Sequence, residues 1–410
     1  MGHILLLIIL LILLIEFGLG RWLSYLNIKH SKSKLPAVLA DIYDAEKYAR
    51  QQDYFRTNTR FGMLTASFSF VVIVVMYACG GFGWFDGIVQ NWTDHSILQS
   101  LLFFGVLFIV SDIITIPFQW YATFVIEEKF GFNKQTPSLF IADKLKSWGL
   151  SIVLGGLILT AIIWIYNLTP EYFWLLAFGV VTVFSLFMNM FYSELIVPLF
   201  NKQTPLEEGE LRTAIEAFAN KSGFQLKNIY MIDGSKRSTK ANAYFTGLGP
   251  KKRIVLYDTL TEQMDTDEIV AVLAHEIGHY KHKHVLKGML YSIPSSLLLF
   301  FLLGWMLGSD VLAQALGGTK AVFHLNAIAF FTLYTPISLL LGILGNVLSR
   351  KHEYEADAFA QQYGYGEQLI SGLKKLSSQS LSNLMPHPLY VFFNYSHPTL
   401  YQRIIKMQTK

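Results

Sequence analysis

The strongest chemical signal in the chain is the run His275-Glu276-Ile277-Gly278-His279, an HExxH motif. The surrounding segment, residues 265–287, begins with Asp and Thr at capping positions and keeps helical periodicity, which predicts a helix. On a helix, positions i and i+4 lie one above the other, offset by about 40°. Both imidazoles can therefore bind one metal ion. Glu276, rotated by about 100° from His275, is suited to hold a water molecule beside that metal.

A third ligand must come from another part of the chain, because a catalytic zinc usually has three protein ligands and one open position. Glu353 and Asp357 lie four residues apart in SRKHEYEADAFAQQYG, the first polar segment after the last apolar stretch. We predict one zinc ion per chain, with Glu353 as the third ligand and Asp357 as proton acceptor for a zinc-bound histidine. Glu355 is the weaker candidate and His352 a poor one. The alternative is a charged helix face with solvated acids.

Two further histidines, His282 and His284, follow the motif. On a continuous helix His284 lies about half a turn around the axis from His275, and His282 lies about two turns away along it. Neither could share the metal unless the helix bends. We expect both to be interfacial or solvated.

The chemistry predicted by these residues is metal-assisted peptide hydrolysis. Zinc lowers the pKa of a bound water toward neutrality and polarises a carbonyl group. Glu276 would take the proton of that water and later deliver it to the leaving amine.

The composition is that of an integral membrane protein. The 410 residues are 52% hydrophobic and 15% charged, whereas soluble chains carry about 25% charged residues. The single cysteine excludes an intrachain disulfide framework and a thiolate-rich zinc cluster, and the net charge of +4 without a basic block gives no sign of nucleic-acid binding.

Seven segments are apolar enough to span a bilayer: 4–26, 62–83, 98–120, 149–167, 172–198, 286–307 and 323–348. The first has no cleavage site and is expected to be retained.

The distribution of Lys and Arg sets the orientation of these spans. Eight basic residues lie between positions 21 and 60 and four lie near 129–146, while the opposite loops hold only Lys320. The C-terminus and both large polar regions are therefore expected in the cytosol.

The predicted organisation is as follows: spans 1–5 with cytosolic loops (1–198), a small cytosolic α+β region with the HExxH helix (199–285), a transmembrane hairpin (286–348) and a cytosolic C-terminal region (349–410). Within the α+β region, KANAYFTGLGP is predicted to be a strand that ends in a glycine-rich turn.

Three acidic residues, Glu16, Asp112 and Glu194, fall inside predicted spans. Charge in lipid is costly, so each should face protein or water. Pairing with a neighbouring helix and exposure to a wet internal cavity explain them equally well.

Several stretches together resemble the type I CAAX prenyl proteases, which are gluzincin metalloproteases of the endoplasmic reticulum membrane with bacterial relatives. The resembling stretches are FVIEEKFGFNKQT (124–136), ELIVPLFNKQTPLEEGELRTAIE (194–216), KANAYFTGLG (240–249), HEIGHYKHKH (275–284), SRKHEYEADAFA (349–360) and SHPTLYQR (396–403). The resemblance implies seven helices that enclose a water-filled chamber, a zinc site near its cytosolic end, and removal of the last three residues after a prenylated cysteine.

The resemblance also implies roles for individual residues. His275, His279 and Glu353 match the metal ligands, Glu276 the catalytic acid/base and Asp357 the partner of a ligand. Asn242 matches a contact to the substrate backbone, for which an exposed strand edge is suited. His397 matches the group that steadies the oxyanion, and Arg403 matches its supporting charge. A turn position for Asn242, and ordinary surface positions for the other two, are the alternatives.

The expected partners are prenylated peptide or protein C-termini and membrane lipid. The expected location is the endoplasmic reticulum membrane in a eukaryote or the inner membrane in a bacterium. Two alternatives stay open: a quality-control metalloprotease of membrane proteins without prenyl specificity, and a transporter or receptor with a regulatory metal. The latter leaves Glu276 unexplained. The sequence does not indicate the oligomeric state.

Overall fold

The structure is a computed structural model that describes residues 1–224, 229–246 and 253–409, except for the side chain of Thr246. Within these residues, seven helices are long and apolar enough to cross a membrane: Gly2–His30, Ala45–Ala78, Ser96–Glu127, Pro137–Leu168, Phe173–Phe200, His284–Met306 and Phe323–Gln362. Each predicted span overlaps one of them. The predicted helical membrane fold with seven spans is confirmed.

The N-terminal half consists of helices α1 (Gly2–His30), α2 (Ala45–Ala78), α3 (Gly81–Trp92), α4 (Ser96–Tyr121), α5 (Pro137–Leu150), α6 (Gly156–Leu168), α7 (Phe173–Leu195) and α8 (Val197–Phe200). π-helical turns at Ala122–Glu127 and Ser151–Gly155 extend α4 and join α5 to α6. The C-terminal half holds α9 (Glu210–Lys221), α10 (Asp258–Gln263), α11 (Thr266–Lys281), α12 (His284–Met306), α13 (Asp310–Ala315), α14 (Phe323–Gln362), α15 (Gly366–Gln379), α16 (Pro388–Asn394) and α17 (Leu400–Gln408).

A four-stranded sheet lies between α8 and α10 in the chain. Its strands are β1 (Gln203–Pro205), β2 (Ile229–Ile232), β3 (Ala243–Thr246) and β4 (Arg253–Tyr257), in the spatial order β1-β2-β4-β3. β2 and β4 run parallel, and the other two pairs run antiparallel. Because β3 is last in the spatial order of the described strands, it forms one edge of the sheet. The small α+β region is therefore present. The glycine-rich turn predicted after β3, at 247–250, lies outside the described residues.

Three helices differ from the expectation. α2 begins at Ala45 rather than at residue 62: its first turns are polar, and the Asp44 side chain caps them by accepting a hydrogen bond from the Lys47 amide. The helix predicted at 265–287 is interrupted at His282 and Lys283, where Lys283 has a φ of +56°. α14 continues for 40 residues without a break, so the seventh span and the segment with Glu353 are one helix.

The start of α11 is fixed by a capping box. The Asp265 side chain accepts from the Glu268 amide, and the Glu268 side chain accepts from the Asp265 amide. Glu268 is almost fully buried, and it also accepts hydrogen bonds from Ser371 and Lys375 on α15. The box satisfies amide groups that the first helical turn leaves free. The hydrogen bonds from Ser371 and Lys375 to Glu268 then hold α11 in place against α15.

Close contact between α11 and α14 depends on Gly278. A Cβ atom at this position would lie 3.0 Å from the Cα of Ala356 and 3.0 Å from the Cβ of Phe359. Ala274 and Ala356 are fully buried. Small residues therefore allow the two helices to approach each other where the predicted ligands lie.

The acidic residues inside the spans have different environments. Asp112 accepts hydrogen bonds from Lys144 at 2.8 Å and from the Trp148 indole at 2.7 Å, and Glu194 pairs with Arg253. Pairing therefore accounts for Asp112 and Glu194.

Glu16 is exposed, although Ile9 and Leu23, each seven residues away on nearly the same face of α1, are buried. The exposed apolar residues of α1, such as Leu11 and Leu14, lie on another face. Glu16 thus faces a solvent-accessible gap on the protein side of α1.

Replacing Gly278 by Leu should separate α11 from α14. Overpacking a filled interface costs about 1–3 kcal/mol, so we expect a lower midpoint of thermal unfolding in detergent. Gly288→Leu on α12 is the matched control, because a Cβ at Gly288 meets no atom within 4 Å. Equal unfolding midpoints for the two variants would contradict the role assigned to Gly278.

Candidate metal centre

Three side chains from two helices converge on one point. On α11, Nε2 of His275 and Nε2 of His279 lie 3.1 Å apart. On α14, Glu353 places one carboxylate oxygen 3.2 Å from Nε2 of His279 and the other 3.5 Å from Nε2 of His275. These three residues form a group whose ligand atoms could hold one metal ion.

The chemistry of the group requires a positive charge at its centre. Oε2 of Glu353 is buried and has no hydrogen-bond partner among the described residues. A buried carboxylate oxygen beside two imidazole nitrogens is costly unless a cation or protons lie between them. Two imidazole nitrogens and one carboxylate oxygen, with space on one side, are the donor set of a catalytic metal site.

Asp357 fixes the orientation of His275. Its Oδ1 lies 2.8 Å from Nδ1 of His275, so this ring nitrogen donates the hydrogen bond and Nε2 keeps its lone pair for a metal. Burial lowers the pKa of His275, but hydrogen bonds to Asp357 and Glu353 outweigh burial and raise the pKa to about 9. The carboxylates therefore favour positive charge at this position, as a metal ion would supply.

Arg403 lies behind Asp357. Its guanidinium donates to both carboxylate oxygens of Asp357, at 2.9 and 2.5 Å. Burial lowers the pKa of Arg403, but the hydrogen bonds to Asp357 outweigh burial and raise it, so the group stays charged. Arg403 is thus the counter-ion of Asp357, and its guanidinium also lies 3.7 Å from Oε2 of Glu353. Its support of His397 stays a prediction.

His397 stands at the mouth of the group. Its side chain is 63% exposed, and its Nε2 lies 3.4 Å from a carboxylate oxygen of Glu353. The other ring nitrogen is 2.9 Å from the Ser396 hydroxyl. His397 can therefore reach a molecule that enters from solvent.

One cleft of about 420 Å³ contains nearly all the predicted site residues. Its lining includes Asn242, His275, Glu276, His279, Glu353, His397 and Arg403. Asp357 lies directly behind His275. Asn242 is exposed at the residue before edge strand β3, and Ala243 and Phe245 of that strand also line the cleft. The cleft thus combines a metal-binding group with a strand edge.

The expectation for His284 was wrong. His284 is 6% exposed, and its Nδ1 lies 2.9 Å from Nδ1 of His279. The left-handed conformation of Lys283 breaks the helix and turns His284 back toward the motif. Glu355, which is outside the metal group as expected, is bonded to His284. His282 is exposed, as expected. The sequence did not indicate the break between α11 and α12, because no glycine lies at the left-handed position, Lys283.

Comparison with known families gives two matches that together cover most of the chain. Residues 205–410 match the description "Peptidase family M48", and residues 24–202 match "CAAX prenyl protease N-terminal, five membrane helices". The chain belongs to peptidase family M48.

Individual members of the family are similar over nearly their full length. CAAX prenyl protease 1 of Saccharomyces cerevisiae is 35% identical over 95% of this chain and 92% of its own. The CAAX prenyl protease 1 homolog of Oryza sativa is 38% identical, over 94% and 93%. The crystal structure of S. mikatae Ste24p has a TM-score of 0.92 at 35% identity and covers 98% of both chains. The chain is therefore a multi-pass membrane metalloprotease, which confirms the predicted enzyme class.

Removing the Glu353 carboxylate should weaken metal binding. Glu353→Ala takes away one of the three proposed ligands and leaves only the two imidazoles, so we expect substoichiometric metal in the purified protein. Elemental analysis by mass spectrometry measures it. Glu367→Ala, an exposed acid on α15, is the control and should keep one metal per chain. Full occupancy in Glu353→Ala would show that this acid is no ligand.

Proposed function

We propose that this chain is a zinc endopeptidase that removes the C-terminal tripeptide of prenylated CaaX proteins. The observation that carries the proposal is the convergence of His275, His279 and Glu353 in a cleft beside an edge strand. The names of similar proteins from Saccharomyces cerevisiae, Oryza sativa and Schizosaccharomyces pombe, which are CAAX prenyl protease 1, a homolog of it and a probable CAAX prenyl protease 1, support the substrate class.

Zinc is the metal that best fits this donor set. Zinc accepts imidazole nitrogen and carboxylate oxygen, and catalytic zinc sites have three protein ligands with one position left open. The chain's single cysteine rules out a thiolate-rich alternative. When bound, the ion would polarise the scissile carbonyl and increase the acidity of a water molecule.

The side chains around the ligands would carry out the proton transfers and hold the substrate. Glu276 is half-buried in the cleft beside both histidines, and it would accept the proton of the attacking water and return it to the leaving nitrogen. His397, at the mouth, would donate a hydrogen bond to the oxyanion that forms. Arg403 would act indirectly, since it holds Asp357 and thereby His275.

The substrate would bind as an extended peptide. Among the described residues, β3 has a hydrogen-bonded neighbour on one side only, and strand addition to such an edge is a common mode of peptide recognition. Asn242, at the beginning of this edge, would contact the peptide backbone. The cleft also contains aliphatic side chains, among them Val272 and Leu376, which suit the apolar residues of a CaaX tail.

Hydroxyl groups between two membrane-spanning helices support an internal chamber. In a lining that also holds apolar side chains, a pocket of about 370 Å³ between α12 and α14 includes the hydroxyl groups of Ser295 and Ser338. On a helical wheel they lie opposite the exposed apolar residues Leu290 and Leu340. The exposed Glu16 on the protein side of α1 supports the same interior.

The catalytic face would lie in the cytosol, because the loops with most Lys and Arg lie on the same side as the metal group. The membrane would be that of the endoplasmic reticulum in a eukaryote and the inner membrane in a bacterium. Prenylated C-termini would be the substrates, with the surrounding lipid as their second point of attachment.

Glu276→Gln tests the catalytic assignment. The amide keeps the size of the side chain but cannot accept the proton, so we expect at least about a hundredfold loss of kcat with the zinc content unchanged. Cleavage of a farnesylated peptide, followed by mass spectrometry, measures the loss. Glu262→Gln, an exposed acid on α10, should behave as wild type. Retained activity in Glu276→Gln would refute its role as the base.

The requirement for the lipid is tested with two peptides of identical sequence, one farnesylated and one not. We expect cleavage of the farnesylated peptide after the modified cysteine and release of a tripeptide, because the lipid anchors the tail in the membrane next to the cleft. Equal turnover of both peptides would favour the quality-control protease instead.

A further inference from the structure

The two histidine ligands receive support from different partners. His275 donates from Nδ1 directly to the carboxylate of Asp357. His279 also turns Nδ1 away from the metal group, but what it meets at 2.9 Å is Nδ1 of His284. Nε2 of His284 in turn lies 2.9 Å from a carboxylate oxygen of Glu355. A second carboxylate therefore lies behind His279, with one imidazole in between.

The positions of the protons in this chain follow from the donors and acceptors. The Glu355 carboxylate can only accept, so Nε2 of His284 carries hydrogen. In a neutral imidazole the other nitrogen is then an acceptor, so Nδ1 of His284 accepts from Nδ1 of His279. His279 is thereby held in the tautomer whose Nε2 lone pair points at His275 and Glu353.

We propose that His284 and Glu355 are positioning residues that fix the ring and tautomer of His279 for metal binding. The inference rests on the proposed function only in that a metal occupies the group. It assigns a role to His284, for which the sequence predicts an interfacial or solvated position, and to Glu355, which is the weaker ligand candidate.

The surroundings of His284 restrict it to this geometry. Its side chain is 5% exposed. The His352 ring stacks on it at 4.1 Å between centroids and an interplanar angle of 11°. Lys287 also donates to the Glu355 carboxylate, at 3.2 Å and to the same oxygen that His284 contacts. An imidazole packed in this way has few rotamers left, so its hydrogen bond to His279 is preorganised.

The backbone supports the same reading. Lys283 adopts a left-handed conformation that non-glycine residues seldom adopt, and the break between α11 and α12 depends on it. A continuous helix would carry His284 about half a turn away from the ligands. The strained Lys283 directly precedes the buried His284. The conformational strain at Lys283 is therefore what places His284 in contact with His279.

Metal affinity is the direct test. Groups that orient a metal-binding histidine typically change affinity by roughly 10- to 100-fold when removed. We expect a loss of this size for His284→Leu, measured with purified protein by competition for Zn²⁺ against a chromophoric chelator. His284→Asn, which offers His279 an acceptor oxygen, should recover much of the affinity.

Three further variants separate orientation from packing. Glu355→Leu leaves His284 in place but removes its acceptor, so we expect weaker Zn²⁺ binding, whereas Glu355→Gln retains an acceptor oxygen and should bind nearly as wild type. His282→Leu is the matched control, because His282 stacks on the same ring yet is exposed. In the Co²⁺-substituted protein, His284→Leu should shift the visible absorption bands and His282→Leu should leave them unchanged.

The possible outcomes distinguish the hypotheses. Zn²⁺ affinity within about threefold of wild type in folded His284→Leu would overturn the positioning role. If that variant fails to fold, wild-type affinity in Glu355→Leu overturns it equally. A wild-type protein that binds Zn²⁺ tightly but leaves farnesylated peptides intact contradicts the proposed function alone, since these measurements concern metal binding.

Discussion

The structure depends on bringing three metal-binding atoms together inside the protein. The nitrogens of His275 and His279 and the carboxylate of Glu353 lie within about 3.5 Å of one another. Their lone pairs are unfavourable at this distance unless a cation or protons lie between them. Holding them there takes a rigid frame, which α11 and α14 provide through contact at Gly278. The capping box at Asp265 and the packing against α15 keep α11 from shifting.

Charge around the group is balanced by opposite charge. Buried Asp357 pairs with Arg403, whereas the partly exposed Glu355 pairs with Lys287 and accepts a hydrogen bond from His284. Removing one partner of the buried pair would leave an uncompensated charge, which costs more than the pair contributes. The polar layer behind the ligands therefore acts as a unit.

The sequence was most informative where the relevant contacts are local or where hydropathy dominates. The i, i+4 spacing of His275 and His279 and the seven spans needed no tertiary information. Glu353 could be proposed because an antiparallel hairpin returns the chain to the same membrane face. The residues that were proposed converge in one cleft, with Asp357 behind it.

The parts that could not be predicted have physical reasons. His284 was misplaced because a left-handed Lys283 carries no composition signal, and a continuous helix was the reasonable expectation. The contact of Arg403 with Asp357 joins residues 46 positions apart, which no periodicity encodes. The early start of α2 escaped detection because its polar first turns lack the hydropathy of a span.

The uninterrupted course of α14 has a mechanical consequence. Glu353 lies about 30 residues after the start of this helix, which at 1.5 Å per residue is about 45 Å, and the hydrocarbon core takes up about 30 Å of such a length. The same helix that spans the bilayer also carries Glu353 of the metal-binding group. Bilayer thickness and helix tilt thus set the height of that group above the membrane surface, and a thicker, sterol-rich bilayer would draw the group closer to the surface.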